Sequence, residues 1–511
     1  MECDSDFISV SFQQVSLGAL LQSIITACMF ACMAVIPVRA DIGDELFKLT
    51  ASDTAIHDDF GYSVSIAGGT AVIGAPMNDD AGVSSGSVYL FDATAGNELA
   101  KLTASDAVAG DRFGHSVALS GNTAIIGAVR DDDDGTDSGS AYLVDATTGQ
   151  ELFKLTASDA EEYDYFGGSV AISGNTALVG AFRENDAGSL SGSAYLFDVT
   201  TSAELFKLTA SNAAAGDQFG HTVAVGGNAA LVGAYRNSAA GSLAGSAYLF
   251  DVATGIEMFR LNAADASSQD LFGWSVAVSG NIALVGAPFD DGEIDEDNVV
   301  ANSGSAYLFD VTTGQQLLKL TPAEPVPLGW FGYAVAINGD TAIVGSSHSA
   351  GAVYMFDVTT GQQLFKSSFG GPAVAISANI ALVRGADQNA GNGFSAVYGL
   401  SALRETEVLP GDYNADGIVN AADYTVWRDN LGSENPLPND SIGGTIGQVH
   451  YNQWIANFGR TAGNGSIENA AVPEPSSLLL AAIVGCIGLA AAARKPSRQN
   501  PANHLRFHHT R

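Results

Sequence analysis

The chain has 511 residues and 59 glycines, too long for one ordinary core and rich in the residue that makes tight turns. Lys+Arg 21 against Asp+Glu 56 leave a formal charge of −35; a surface so acidic repels nucleic acid and anionic lipid and argues against either as a partner. The four cysteines, Cys3, Cys28, Cys32 and Cys486, lie in the two end segments, so a chain processed at both ends carries no disulfide and no thiol chemistry.

The first 40 residues have the form of an export address. Leu17 to Pro37 is mostly apolar, and Val38-Arg39-Ala40 ahead of Asp41 has the small-residue pattern of a signal-peptidase site, although Glu2, Asp4 and Asp6 stand where basic residues are usual.

From residue 41 to 403 one unit repeats. Phe-Gly recurs at Phe60, Phe113, Phe166, Phe219, Phe272, Phe331 and Phe369, with four intervals of 53 residues, one of 59 and one of 38. Each unit reads as four strands. The first two, as in FGHSVAL and TAIIGA, are split by a Ser-Gly-Asn type turn; SAYLF follows, and Thr-Thr-Gly-Gln leads into LFKLTA. Four short strands repeated seven times predict a mainly β fold, a seven-bladed propeller. LFKL-type strands also number seven, near Leu46, Leu99, Leu152, Leu205, Met258, Leu317 and Leu364, and the first precedes the first Phe-Gly. The N-terminal strand around Glu45–Thr50 is therefore expected to pair with Ser395–Leu400 and complete the last blade, closing the ring.

These units resemble FG-GAP repeats, the blades of integrin α-chain propellers, with IGAP at Ile73–Pro76 and VGAP at Val285–Pro288. The resemblance implies a seven-bladed fold and extracellular recognition. The integrin type of calcium loop does not carry over, because the connection between Phe-Gly and Gly-Ala strands is only Ser-Gly-Asn or Ala-Gly-Gly here. The acidic runs Asp131–Asp134 and Asp290–Asp297 lack alternating ligand spacing and read as solvated loops. Asp53, Asp106, Asp159 and Asp265 recur with the template and read as turn or cap residues. His115 and His221 occupy a position that holds Tyr62, Gly168, Trp274 and Tyr333 in other units, so they read as variable residues lining or flanking the ring. No nucleophile elbow, phosphate loop or zinc motif is found, which points to binding rather than catalysis.

Residues 409–460 change character. Asp412, Asn414, Asp416, Asn420 and Asp423 fall at positions 1, 3, 5, 9 and 12 of a loop, with Gly417 at the bend and the Ile418 carbonyl at position 7. That spacing supplies the oxygen shell of one Ca2+. Asp423 is expected to open an amphipathic helix with Val426, Trp427 and Leu431 on its apolar side. An echo follows, matching Tyr424 to Tyr451, Trp427 to Trp454, Asn430 to Asn457 and Gly432 to Gly459. The pair resembles a type I dockerin, a small α-helical EF-hand-like module, and implies a cohesin partner. Two departures weigh against the family's full behaviour. The second loop offers Asn439, Ser441, Gly443, Gly447 and His450 and no carboxylate, which predicts one calcium, and Ala421-Ala422 replace the hydroxyl pair usual in cohesin binding.

Residues 461–471 read as a linker. At 472–498, Val472-Pro473-Glu474-Pro475, an apolar run from Leu478 to Ala493 and Arg494-Lys495 resemble a PEP-CTERM sorting signal. The resemblance implies transient membrane anchoring through 478–493, recognition by an exosortase and a destination at the cell surface or beyond. A basic tail, 499–511, closes the chain. Taken together, the expectation is an exported binding or adhesion protein with an extracellular protein or polysaccharide ligand. The alternatives are a component of a polysaccharide-degrading system and a structural surface or matrix protein.

Overall fold

The structure is a computed structural model. It describes residues 42–401 apart from 54, 56, 296–297, 348–350, 368–369 and 387–394, and, further on, residues 411, 413, 419, 421–433, 437 and 445–458. The chain divides into two compact units, Met1–Arg404 and Glu405–Arg511.

The first unit is a seven-bladed β-propeller. Its seven four-stranded sheets are antiparallel meanders, each beginning with the Phe-Gly strand. In blade 1 the strands are Ser63–Ala67, Thr70–Ala75, Ser87–Asp92 and Asn97–Leu102. Blades 2 to 6 repeat the order over 113–155, 166–208, 222–261, 275–320 and 334–366. Blade 7 combines Val374–Ser377, Ile380–Ala386 and Ser395–Ser401 with Glu45–Leu49 from the beginning of the chain. Glu45 lies opposite Leu400, Lys48 opposite Tyr398 and Leu49 opposite Val397, with a bulge between Glu45 and Phe47. The expected latch is therefore present. Gly399 faces Phe47, and a Cβ there would collide with the ring.

The two middle strands of each blade are buried along nearly their whole length because blades lie on both faces, which is why they read as continuous apolar runs. The outermost strand is exposed or half-buried until its last residue, as in Gln150–Leu155, where only Leu155 is buried. The core is thus divided into seven clusters, one between each pair of neighbouring blades. The cluster joining blades 7 and 1 includes Leu49, Leu382, Phe60 and Tyr89, so the ring is closed by apolar burial as well as by the latch.

The repeated motif has a steric origin. In blades 1 to 6 the phenylalanine of Phe-Gly is buried and meets the tyrosine of the third strand edge to face, as Phe113 does Tyr142 at 5.4 Å. The glycine lets the backbone approach the preceding blade: a Cβ on Gly167 would fall on the Ser140 carbonyl oxygen of blade 2, and a Cβ on Gly127, the Gly-Ala glycine of blade 2, would fall on the carbonyl oxygen of Gly167, which also accepts a 2.8 Å hydrogen bond from Ser116 Oγ. Blade 5 carries an insertion, and it is not wholly irregular: Gly292–Asp295 and Asn298–Val300 form a small hairpin. This accounts for the longer 59-residue interval.

In the second unit the described residues form two helices, α1 (Ala421–Asp429) and α2 (Gln448–Asn457). Tyr413, Val419, Trp427, Leu437, Ile446, Tyr451 and Trp454 are their shared core. The echoed tryptophans both pack into this core. Helix α1 begins two residues before Asp423, and Leu431, expected on its apolar side, falls in the turn beyond it and is 39% exposed. Gly432 ends that turn at φ +85, where a side chain would be strained.

Candidate functional site

The Phe-Gly strands are the innermost of each sheet and pack side by side around the axis. The residue directly after Phe-Gly therefore stands at one mouth of the axial channel. In blades 1 to 6 these are Tyr62, His115, Gly168, His221, Trp274 and Tyr333. They form a collar of rings. Tyr62 and His115 lie 5.0 Å apart between centroids, His221 and Trp274 5.2 Å, and Trp274 and Tyr333 5.3 Å. Gly168 supplies no ring, and Phe182, from the Gly-Ala-X turn of the same blade, packs over it and against His221 at 5.5 Å. Tyr235, from the equivalent turn of blade 4, adds a ring between His221 (4.5 Å) and Trp274 (4.9 Å).

The turns entering this mouth are under backbone strain. In blades 1 to 6 the residue before Phe-Gly adopts a left-handed conformation, including Arg112 at φ 58, Tyr165 at φ 59 and Trp330 at φ 52. A buried aspartate next to it holds the turn: Asp111 accepts the Val108 N–H at 2.7 Å, and Asp164 and Asp270 accept equivalent bonds. Burial pushes Asp111, Asp164 and Asp270 up to about 6.

The collar histidines are neutral. Burial, then the Arg112 guanidinium, lower His115 to about 4; burial, then His115, lower His221 to about 4. Tyr62 Oη and His115 Nε2 are 3.4 Å apart. The buried Nδ1 atoms of both histidines have no hydrogen-bond partner among the described residues. Two polar ring edges are thus set in an apolar collar without a protein group to satisfy them.

Charge is sorted between two locations. Each of Lys101, Lys154, Lys207 and Lys319 is clamped by carboxylates: Lys154 Nζ lies 2.7 Å from Asp106, 2.9 Å from Asp131 and close to Asp133. Tyr142 Oη lies 2.8 Å from a carboxylate oxygen of Asp106 and 2.8 Å from one of Asp131, and shares its one proton between them. Asp106 follows the outermost strand of blade 1 while Lys154 and Tyr142 belong to blade 2, so each clamp ties neighbours together. Burial opposes the charge on Lys154, but its bonds to Asp106, Asp133 and Asp131 carry its pKa above the ordinary lysine value. Two sequence expectations need correction here. Asp131 and Asp290 are buried, not solvated, because they serve Lys154 and Lys319; and the template aspartates are inter-blade acceptors rather than simple turn residues. Asp106, Asp131 and Asp133 are close enough to share a metal ion, yet the Lys154 ammonium already bonds all three.

Arginines have the opposite disposition. Arg112, Arg130 and Arg183 lie at the strained turns around the mouth, and none has a carboxylate partner among the described residues. Arg183 stacks on the Tyr165 ring at 4.3 Å and Arg130 lies over the same ring at 5.7 Å. The buried Nε of Arg183 has no hydrogen-bond acceptor. Their fields reach the collar, Arg112 and Arg130 at His115 and Arg183 at Tyr235.

Of the expected calcium ligands, Asp412, Asn414, Asp416, Ile418 and Asn420 lie outside the described residues. Asp423 is fully buried in the first turn of α1, and His450 is fully buried in the first turn of α2, where its Nδ1 accepts the Gly447 N–H at 3.2 Å. The export and sorting segments also lie outside the described residues; among those described, no helix is long and apolar enough to cross a membrane.

The model of the FG-GAP repeat matches residues 44–91, 97–144, 150–197, 203–250, 256–309 and 315–356. Each matched stretch begins with an outermost strand and runs on into the next blade, so the sequence repeat is offset from the structural blade by one strand. No curated protein matches the chain. Among solved structures, the computationally designed Ika8 protein is similar over 70% of this chain and 99% of its own, at 18% identity and a TM-score of 0.43.

Proposed function

Since the chain belongs to the FG-GAP repeat family, we propose that it is an exported binding or adhesion protein whose propeller is the recognition platform. The observation that carries this reading is the mouth itself. Half-exposed rings from six blades converge there beside arginines lacking carboxylate partners among the described residues, a combination suited to holding a ligand. A catalytic reading would need a free carboxylate pair outside the repeat template. Asp59, at the mouth, is instead tied to Arg384 at 3.3 Å.

The remaining features belong to delivery and attachment. Residues 1–40 would direct export, and 472–498 would anchor the chain transiently for an exosortase before its display at the surface or release. Residues 409–460 would form a dockerin-like module with one Ca2+ held by Asp412, Asn414, Asp416, Ile418, Asn420 and Asp423. The complete burial of Asp423 at a helix N-terminus fits a carboxylate that closes a cation loop. A cohesin partner finds less support, given Ala421 and Ala422.

The test is a screen of the full chain on an array of polysaccharides and matrix proteins, repeated with Trp274→Ala. A ligand whose binding Trp274→Ala abolishes supports the platform reading. A ligand unaffected by that substitution, or none at all, overturns it.

A further inference from the structure

We propose that the axial mouth binds an acidic sugar, a pyranose ring carrying a carboxylate or sulfate, with the ring on the collar and the acid at the arginines. This deepens the platform reading and rests on it. The first observation is the sorting of charge. In a chain of net charge −35, Lys101, Lys154, Lys207, Lys319 and Lys366 are consumed in ion pairs. Arg112, Arg130 and Arg183 are left without carboxylates beside one another at the mouth, Arg130 and Arg183 sharing the face of Tyr165. Arg236 and Arg260, exposed on blade 4, also lack carboxylate partners among the described residues, but only Arg112, Arg130 and Arg183 are gathered together, and in so acidic a protein that gathering is a local site for an anion. Arginine there can grip a planar carboxylate or a sulfate with two N–H donors.

The second observation is independent of charge. The collar presents Tyr235, Trp274 and Tyr333 as a contiguous aromatic wall. Such a wall offers faces to the C–H side of a sugar ring, while the exposed hydroxyl of Tyr62 can meet one of its hydroxyl groups. A nucleic acid or anionic bilayer would bring many more charges against the acidic body than the mouth can compensate. A terminal acidic sugar brings only one.

The experiment titrates the full chain with trigalacturonate, following tryptophan fluorescence and heat. Parallel arms use its methyl ester, a sulfated tetrasaccharide, and a short peptide with a free C-terminal carboxylate. Saturable binding of an acidic sugar is expected. Esterification or Arg183→Gln should weaken it by about tenfold or more, the worth of a charge-assisted contact, and Trp274→Ala should abolish it. The urea midpoints of both variants, unchanged, exclude a folding defect. The sulfated arm separates a sulfate from a carboxylate preference. Equal affinity for the methyl ester, or equal affinity for the peptide, overturns the assignment. So does failure of every acidic sugar while an array ligand still depends on Trp274, an outcome that leaves the platform reading standing.

Discussion

Replacing Lys154 by methionine removes the cation from a clamp without changing its volume much. The three carboxylates it serves differ in exposure: the side chain of Asp131 is 4% exposed, that of Asp106 40% and that of Asp133 62%. Stranding a buried charge costs about 3–5 kcal/mol, whereas an exposed pair is worth about 1 kcal/mol or less. With one deeply buried partner, and Lys154 itself 20% exposed, the loss at neutral pH should be about 3 kcal/mol. Blade 4 contains its own control. There Asn212 and Asn237 replace the acids, Tyr248 donates to Asn212 at 2.7 Å, and Arg260 stands in the lysine position, pointing to solvent. Transplanting that solution, as Lys154→Met with Asp106→Asn and Asp131→Asn, should recover all but about 1 kcal/mol of the loss. The pH dependence is a second readout. Burial acts to raise the Asp106 pKa, but bonds from Lys154 and Tyr142 outweigh it and hold the value low. Its stabilising contribution is complete above the unfolded value of about 3.9 and disappears as pH falls through the lower folded value. The gap between parent and Lys154→Met should therefore narrow below about pH 4. Urea unfolding of the full chain at several pH values measures both. A loss below about 0.5 kcal/mol, or no recovery in the triple variant, would refute the clamp.

Deleting residues 41–52 removes the strand that completes blade 7 and uncovers the Phe60 cluster. The whole propeller should then melt at lower temperature in one cooperative step, and a calorimetric trace superimposable on the parent's would show the latch to be dispensable. His221 is lowered to about 4 by burial, so the folded state resists a proton that the unfolded chain accepts from about pH 6.5 downward. Stability should be lost between those values, and His221→Phe should gain on the order of 3 kcal/mol over the parent at pH 4; parallel urea midpoints across that window would sink the argument. Asp111, Asp164 and Asp270, raised to about 6, act in the other direction and stabilise both proteins on acidification, so the comparison must be parent against variant. Calorimetric titration of the full chain with calcium should find the dockerin-like site, and Asp412→Ala with Asp416→Ala should remove it. Heat retained in that double variant would place calcium elsewhere.

The architecture was legible because its causes are local. Phe-Gly and Gly-Ala recur since a buried ring and a close backbone approach are needed in every blade, and seven LFKL strands one step ahead of their blades announce the latch. The clamps were written in the same repeats but are non-local. Lysine in one unit and aspartate in the preceding unit rise and fall together, and both change at Arg260 and Asn212, a signal visible only when positions are compared across units. Asp131 was misread for that reason, since an acidic run gives no hint that one member turns inward. The collar was half legible. The position after Phe-Gly looked variable, yet five of the six residues there are aromatic or histidine, and what varies is the ring, not the presence of one. Which arginines lack partners depends on which carboxylates the lysines have already taken, and only the folded chain decides that.

The pairing of Glu45–Leu49 with Ser395–Ser401 also has a consequence for the order of synthesis. The first strand to leave the ribosome is the last to find its partner, because that partner is made after six blades are complete. Until then the growing chain carries an uncovered strand at its start and an apolar blade face at its end, both open to wrong pairing. Neighbouring blades can associate in sequence as they appear, but the ring itself can be sealed only from the two extremities of the propeller sequence. Chain completion, rather than any single blade, is thus the event on which the finished protein waits.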